Sequence, residues 1–246
     1  MNIISALILG AIQGLTEFLP ISSSGHLVLV QSLLPGFSQP GILFDVVLHG
    51  GTLLAVIVYF KDKLLNLSKN DAIQLAIGTL PAVFFGFFFA DFFENSFSNL
   101  SLISIQFFIS AAFCFLIDRA KTKTDKITSQ NALMIGIAQA VSILPAISRS
   151  GATIFAATKL GIKREKAADF SFLLSIPAIA GAIVFQVLKY NGQAFVDPAF
   201  YVFGFIASLV FGFLSIKILL RLLKQKNFKI FGIYCVAIGI VSLVLY

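Results

Sequence analysis

Apolar residues fall along this chain in blocks, and most of the blocks have the length of a lipid bilayer. A helix needs about 20 consecutive apolar residues to cross one. Six segments reach that length, at about 42–60, 72–90, 99–118, 170–188, 198–220 and 229–246, and each is predicted to be a transmembrane helix. Two further regions, about 2–34 and about 131–158, are apolar, then interrupted by proline and a Ser/Gly cluster, then apolar again. Their halves are too short to span, so they are predicted to be re-entrant hairpins or broken helices. Interrupted backbone at membrane depth survives only where it is buried in protein or lines a cavity. Each break therefore points to a site.

Composition agrees with this pattern. Of the 246 residues, 58% are hydrophobic and 12% charged, with a mean hydropathy of +0.97. Average usage for a soluble chain is roughly a quarter charged, so most of this surface does not face water. The 28 Phe suit lipid-facing and interhelical packing, while Trp, the usual interfacial aromatic, is absent. A net charge of +7 raises nucleic acid as a partner, but the basic residues are scattered through short loops between apolar runs. They read as topology signals and as weak attraction to anionic lipid, with no nucleic-acid role. Cys114 and Cys235 lie in apolar stretches without metal-ligand spacing and are expected to be buried small hydrophobes. The first residues, MNIISALILGAIQGLTEFLP, lack a basic n-region and a cleavage site, so retention is expected.

The loops set the sidedness. Lys61, Lys63 and Lys69 form one group; Arg119, Lys121, Lys123 and Lys126 a second. Lys159, Lys163, Arg164 and Lys166 form a third, and Lys217, Arg221, Lys224, Lys226 and Lys229 a fourth. If both broken regions are re-entrant, all four groups share one face, cytoplasmic by the positive-inside rule. That face holds sixteen of the eighteen basic residues, while Lys189 falls opposite, with Asp91, Glu94 and Asp197. A full crossing by either broken region would scatter this segregation.

The chain also matches itself without gaps at an offset of 126, which aligns Ala6, Leu7, Gly10 and Gln13 with Ala132, Leu133, Gly136 and Gln139. Ile21, Ser22, Ser24 and Gly25 likewise meet Ile147, Ser148, Ser150 and Gly151, and Phe85-Gly86-Phe87 meets Phe211-Gly212-Phe213. Apolar matches alone could arise by chance, but the Gln and Ser/Gly matches argue for a repeat of about 1–120 and about 127–246 within one membrane domain. Each unit carries one hairpin and three spans, so the second copy is expected to be inverted. Such repeats place broken elements opposite one another near the midplane. The expected fold is an all-α polytopic membrane protein with an inverted-topology repeat whose two tips meet.

The tips hold the candidate chemistry. Glu17, His26 and Arg149 are the ionisable residues within them, and charge at membrane depth is functional by default. Arg149 offers a planar fork of donors to phosphate oxygens. Ser148, Ser150 and the amides around Gly151, opening a helix, would cradle an anion, and Gly151 permits close backbone approach. Glu17 could act as general base or hold a divalent cation, and His26 is suited to proton transfer. Ser23 is a candidate nucleophile if Glu17 or His26 takes its proton. A Ser-rich turn alone can be helix-packing glue, and a lone Arg–Glu pair can be structural. Both features on two facing tips favour a functional site. His49, beside Gly50-Gly51-Thr52, is open between a supporting role and a packed, hydrogen-bonded histidine. Asp45 and Asp169 are expected to cap helices, and KTKTDK at 121–126 to be a solvated loop.

The strings QGLTEFLPISSSGH and PAISRSGATI resemble the two signatures of the undecaprenyl-diphosphate phosphatase family, linked with bacitracin resistance. FDVVLHGGTLLAV (44–56) and DFSFLLSIPAIAGA (169–182) are similar to family segments in the same order, so the resemblance covers nearly the whole chain. It implies a multi-pass protein of the bacterial inner membrane. The family removes the terminal phosphate of the C55 isoprenoid diphosphate, regenerating a carrier lipid for envelope polymers, with a divalent cation (Mg2+ or Ca2+) as cofactor. By position, the acidic E/Q-x-x-x-E motif falls on Gln13 and Glu17, and the P-x-S-S-[ST]-G-H motif on Pro20, Ser22, Ser23, Ser24, Gly25 and His26. The second signature falls on Pro145, Ser148, Arg149, Ser150, Gly151 and Thr153. The resemblance thus implies catalytic roles for Glu17, Ser23, His26 and Arg149. It implies phosphate contacts for Ser22, Ser24, Gly25, Ser148, Ser150, Gly151 and Thr153, and Glu17 as a metal ligand. Many members have Glu where this chain has Gln13, which counts against a two-carboxylate metal site, and Ala146 replaces a usual Gly. The site is expected to open toward the outer, periplasmic face. A homodimer is left open, and the rival reading is a polyprenyl-phosphate transporter that performs no hydrolysis.

Overall fold

The computed structural model describes residues 2–34, 42–97, 100–189, 197–225 and 227–245. Lys226, Asn99 and Tyr246, which fall in the basic groups and spans assigned above, lie outside the described residues, as do the side chains of Glu94 and Lys224.

Both interrupted regions are broken helix pairs. α1 (Ile3–Phe18) and α2 (Ser23–Leu33) have 16 and 11 residues, joined through Leu19 to Ser22. α8 (Ser129–Val141) and α9 (Arg149–Lys159) have 13 and 11 residues. At 1.5 Å per residue these helices are about 16–24 Å long, short of the ~30 Å hydrocarbon layer. Their caps recur at the 126-residue offset: Asn2 and Thr128 accept from the amides of Ser5 and Asn131, and Ser22 and Ser148 from those of Gly25 and Gly151.

The long helices are α3 (Ile42–Tyr59), α5 (Lys69–Phe88), α7 (Leu100–Arg119), α10 (Arg164–Leu188), α11 (Pro198–Lys224) and α12 (Lys229–Leu245). Four of them, α5, α7, α10 and α11, are long and apolar enough to cross a membrane, which makes this a multi-pass membrane protein. α3 and α12 are apolar but have 18 and 17 residues, because α3 stops before Lys61 and α12 begins only at Lys229. The sequence pattern did not anticipate α4 (Lys61–Leu65) or α6 (Ala90–Phe97). It also started α10 too late. Lys163 is the cap position there, and Asp169 lies inside the helix, where it pairs with Lys63 at 2.5 Å instead of capping. The 121–126 stretch is anchored as well as exposed: Lys123 and Thr124 donate their amides to the Gly161 carbonyl, and Lys163 donates to that of Thr124.

An apolar core is present, but the outer surface is apolar too and many polar side chains are buried, unlike a water-soluble domain. Phe87, Phe88, Leu188 and Val244 are 64%, 66%, 80% and 81% exposed, whereas Gln13, Ser104, Ser110, Thr153, Ser175 and Ser215 are fully buried. Apolar surface outside and hydrogen-bonded polar groups inside is the arrangement a lipid solvent selects, because lipid cannot satisfy a polar atom. Interior serines bond across helices, as Ser208 does to the Leu48 carbonyl, Ser215 to that of Gly14 and Ser104 to Ser242.

Glycine sets how closely the broken helices seat. α1 packs along α11, and a Cβ built on Gly10 would lie 2.4 Å from the Gly204 carbonyl oxygen. α8 packs along α5, where a Cβ on Gly136 would lie 2.4 Å from the Gly78 carbonyl oxygen. Both contacts are backbone on backbone, so no side chain can rotate away. Gly136→Ala is expected to destabilise the fold by about 1–3 kcal/mol through overpacking. Thermal unfolding in detergent measures this, and an unchanged midpoint would contradict the close approach of α8 to α5.

Candidate active site

The two breaks face each other and are latched reciprocally. Ser150 Oγ on the second tip donates to the Leu19 carbonyl of the first at 3.0 Å, and Ser24 Oγ on the first donates to the Pro145 carbonyl of the second at 3.5 Å. Leu19 and Pro145, like Ser24 and Ser150, are again 126 positions apart. Ser110 of α7 holds the second tip, accepting from the Ser148 amide and donating to the Ala146 carbonyl, both at 2.8 Å. Ala146 needs the room that Gly25 leaves, since a Cβ on Gly25 would lie 2.8 Å from that of Ala146. The first tip turns at Ser22, whose φ of 69° is the one left-handed non-glycine φ among the described residues. Such a conformation costs an L-residue about 1–2 kcal/mol, so the surrounding contacts must enforce it.

Across this junction lies a buried charge cluster. Arg149 Nη2 donates to Glu17 Oε1 at 2.5 Å, with the two side chains 14% and 7% exposed. Glu17 Oε2 accepts from Ser23 Oγ at 2.5 Å and from Gln13 Nε2 at 3.0 Å. His49 Nε2 stands 3.9 Å from the same oxygen, while its Nδ1 bonds the Asp45 carbonyl at 2.8 Å. Gln13, Glu17, Ser23, His49 and Arg149 thus converge from α1, α2, α3 and α9. Two buried atoms of the cluster have no hydrogen-bond partner, Arg149 Nη1 and Gln13 Oε1. One is a cationic donor suited to a phosphate oxygen, the other an acceptor suited to a hydroxyl or water.

His26 is placed elsewhere. Its Nδ1 bonds the Ser22 carbonyl at 2.6 Å and its Nε2 bonds Tyr234 Oη of α12 at 2.8 Å. Its ring stacks on Tyr234 and meets Phe107 edge-on. No hydrogen bond joins it to Glu17 or Ser23. The remaining hydroxyls serve the tips: Ser22 and Ser148 cap helices and also pair with Ser24 and Ser150, while Thr153 bonds the Arg149 carbonyl and Ser171 Oγ. Gly151 faces Pro20 of the other tip, and a Cβ there would crowd the Ser148 side chain of its own tip at 3.2–3.3 Å. Sequence reasoning missed Tyr234 and Ser110; Cys114 and Cys235 are buried as expected, and it missed only that both thiols point at the Pro20 carbonyl. Each is one small polar group in an apolar span, with no local signal to mark it.

The donor set does not suit a resident divalent ion. Mg2+ and Ca2+ take hard oxygen ligands, with one or two carboxylates in a typical Mg2+ site. Among the described residues no three His, Cys, Asp or Glu side chains gather. Glu17 has both oxygens engaged by protein donors, one of them a guanidinium that opposes a second cation. Gln13 offers an amide in place of the second carboxylate. The expected role of Glu17 as a metal ligand finds no support in this geometry.

Comparison with known proteins places the chain in a family. The family model described as "Bacitracin resistance protein BacA" matches residues 6–241. The chain is 41% identical over 256 residues to a protein of Carboxydothermus hydrogenoformans named undecaprenyl-diphosphatase, covering 100% of this chain and 98% of that one. It is 43% identical over 254 residues to undecaprenyl-diphosphatase 3 of Bacillus cereus, with the same two coverages. An undecaprenyl-diphosphatase of Methanosphaera stadtmanae is 38% identical over 274 residues, again covering 100% and 98%. With both signature tips folded together and a match along nearly its whole length, the chain belongs to the bacitracin resistance protein BacA family.

Proposed function

We infer that this protein hydrolyses undecaprenyl diphosphate to undecaprenyl phosphate and inorganic phosphate. The observation that carries the reading is the continuous chain Ser23–Glu17–Arg149, which joins a hydroxyl, a carboxylate and a guanidinium across the two tips. Binding an anion requires the guanidinium but no base held against a hydroxyl. Transport without hydrolysis therefore leaves the 2.5 Å Ser23–Glu17 contact without a purpose.

The chemistry follows from that chain. The diphosphate enters between the tips with its prenyl tail in the bilayer, and Arg149 bonds phosphate oxygens through the fork atom that Glu17 does not use. Ser23 Oγ attacks the terminal phosphorus as Glu17 takes its proton. The bridging P–O bond breaks and undecaprenyl phosphate leaves. Water then attacks the phosphoserine, the Ser23–phosphorus bond breaks and Glu17 returns its proton to Ser23. The proton of the water departs with inorganic phosphate. In the competing route Glu17 activates water directly and no phosphoserine forms. A divalent cation brought in with the substrate would supply charge neutralisation, and no step is derived through it.

The finer architecture in this reading is an inverted repeat in the inner membrane, with the site opening to the periplasmic face. Its supports are the 126-residue recurrence of caps, latches and glycine contacts and the clustering of basic loops.

Purified protein in detergent is expected to release phosphate from undecaprenyl diphosphate. Acid quenching with substrate labelled on the terminal phosphate is expected to leave label on Ser23, and Ser23→Ala to abolish both label and release. Turnover with oxygen exchange and no protein label would replace the covalent route with the water route. No release at all from folded protein would sink the phosphatase reading.

A further inference from the structure

The histidine of the first signature is where acid–base chemistry would be sought, yet both its ring nitrogens are committed away from the reacting groups. The Ser22 carbonyl can only accept, so His26 Nδ1 carries the proton and Nε2 accepts from the Tyr234 hydroxyl. The side chain is 7% exposed, pinned between the parallel ring of Tyr234 (centroids 5.6 Å apart, 5° between planes) and the edge-on ring of Phe107 (5.3 Å, 90°). Ser23, the hydroxyl it would be expected to activate, already donates to Glu17.

What His26 does hold is the carbonyl of Ser22, the one non-glycine residue among those described with a left-handed φ. Ser22, at φ 69° and ψ 109°, also caps α2 and immediately precedes Ser23. If Ser22 relaxed to an ordinary φ, the start of α2 would rotate and Ser23 Oγ would swing off Glu17. The 2.6 Å bond from Nδ1 opposes that relaxation from one turn further along the same helix. Tyr234 reaches in from α12, 208 positions away, and holds the plane of the imidazole whose tautomer the Ser22 carbonyl sets.

We propose that His26 clamps the strained Ser22 turn instead of carrying the proton of the reaction, and that Tyr234 is the positioning residue that holds it in place. The consequence for rate rests on the phosphatase reading; the clamp itself does not.

Asparagine and glutamine separate the two roles. The side-chain amide of asparagine overlies Nδ1 and can still donate to the Ser22 carbonyl, whereas that of glutamine overlies Nε2 and cannot. Neither is a base. Phosphate release, its pH profile and thermal unfolding would be measured for His26→Asn, His26→Gln, His26→Ala, Tyr234→Phe and the double variant Ser22→Gly/His26→Ala. We expect His26→Asn to keep about a tenth or more of the wild-type kcat, and His26→Gln and His26→Ala to fall about 100-fold. Glycine adopts φ 69° freely, so Ser22→Gly is expected to restore about tenfold in the His26→Ala background and to raise its melting temperature. Tyr234→Phe is expected to lower kcat a few-fold (about 3–10) and leave the shape of the pH profile unchanged. The clamp is overturned if His26→Asn falls as far as His26→Ala and Ser22→Gly restores neither rate nor melting temperature. It is equally overturned if His26→Asn removes a limb of the pH profile. Were the wild type to release no phosphate, the phosphatase reading would fail, while the order of the melting temperatures would still decide the clamp.

Discussion

Arg149→Ala is expected to lower phosphate release by about three orders of magnitude or more, the range seen when an arginine that neutralises a transferring phosphoryl group is removed. Two losses combine. The substrate loses its charged fork, and Glu17 loses the guanidinium bonded to it, leaving a buried carboxylate held by Ser23 and Gln13 with His49 Nε2 3.9 Å away. Removing one partner of a buried ion pair costs about 3–5 kcal/mol, because the other charge is left uncompensated. A fall in melting temperature is therefore expected beside the fall in rate. Arg149→Lys is expected to recover stability more than turnover, since one ammonium cannot face a carboxylate and a phosphate with the geometry of a fork. A variant that turns over within about tenfold of wild type would remove Arg149 from the reaction.

Glu17→Gln is expected to slow release by about 100- to 10,000-fold, the usual contribution of a positioned general base. It should do so with less structural damage than Arg149→Ala, because glutamine keeps the shape of the side chain and one acceptor. Single-turnover measurement locates the defect: the substrate should bind while phosphoserine formation stalls. Retention of the first-turnover rate would mean that Ser23 loses its proton elsewhere. His49 would then be the group to examine, with Nε2 at 3.9 Å from Glu17 and its side chain 31% exposed.

Much of this could be read from the chain, and the reason is physical. Depth in a bilayer is a local property of hydropathy, so the blocks, their interruptions and the basic loops declare themselves without tertiary information. The interruptions then locate the site, because broken backbone and charge are tolerated at that depth only where protein encloses them. The expectation that Glu17 and Ser23 on one tip meet Arg149 on the other agrees with the geometry. The 126-residue offset likewise anticipated the equivalence of Gly10 with Gly136 and of Ser24 with Ser150. The places where sequence reasoning went astray are those that depend on the far side of a contact. Asp169 reads as a cap until Lys63 comes within reach. That the Ser24 and Ser150 hydroxyls latch the tips together was likewise not legible from one tip at a time.

By itself, then, the sequence determined that this is a multi-pass membrane protein of helices, with two polar breaks and a set of acid, hydroxyl and guanidinium groups at them. Only the tertiary structure decided which of those groups act on one another. It put Ser23 and Arg149 on the two oxygens of Glu17, turned His26 toward Tyr234, and left Arg149 Nη1 and Gln13 Oε1 without partners. Hydropathy fixes how deep a residue sits, one segment at a time. Which hydrogen bond it makes depends on helix faces that only packing brings together, here across 132 positions for Glu17 and Arg149 and 208 for His26 and Tyr234.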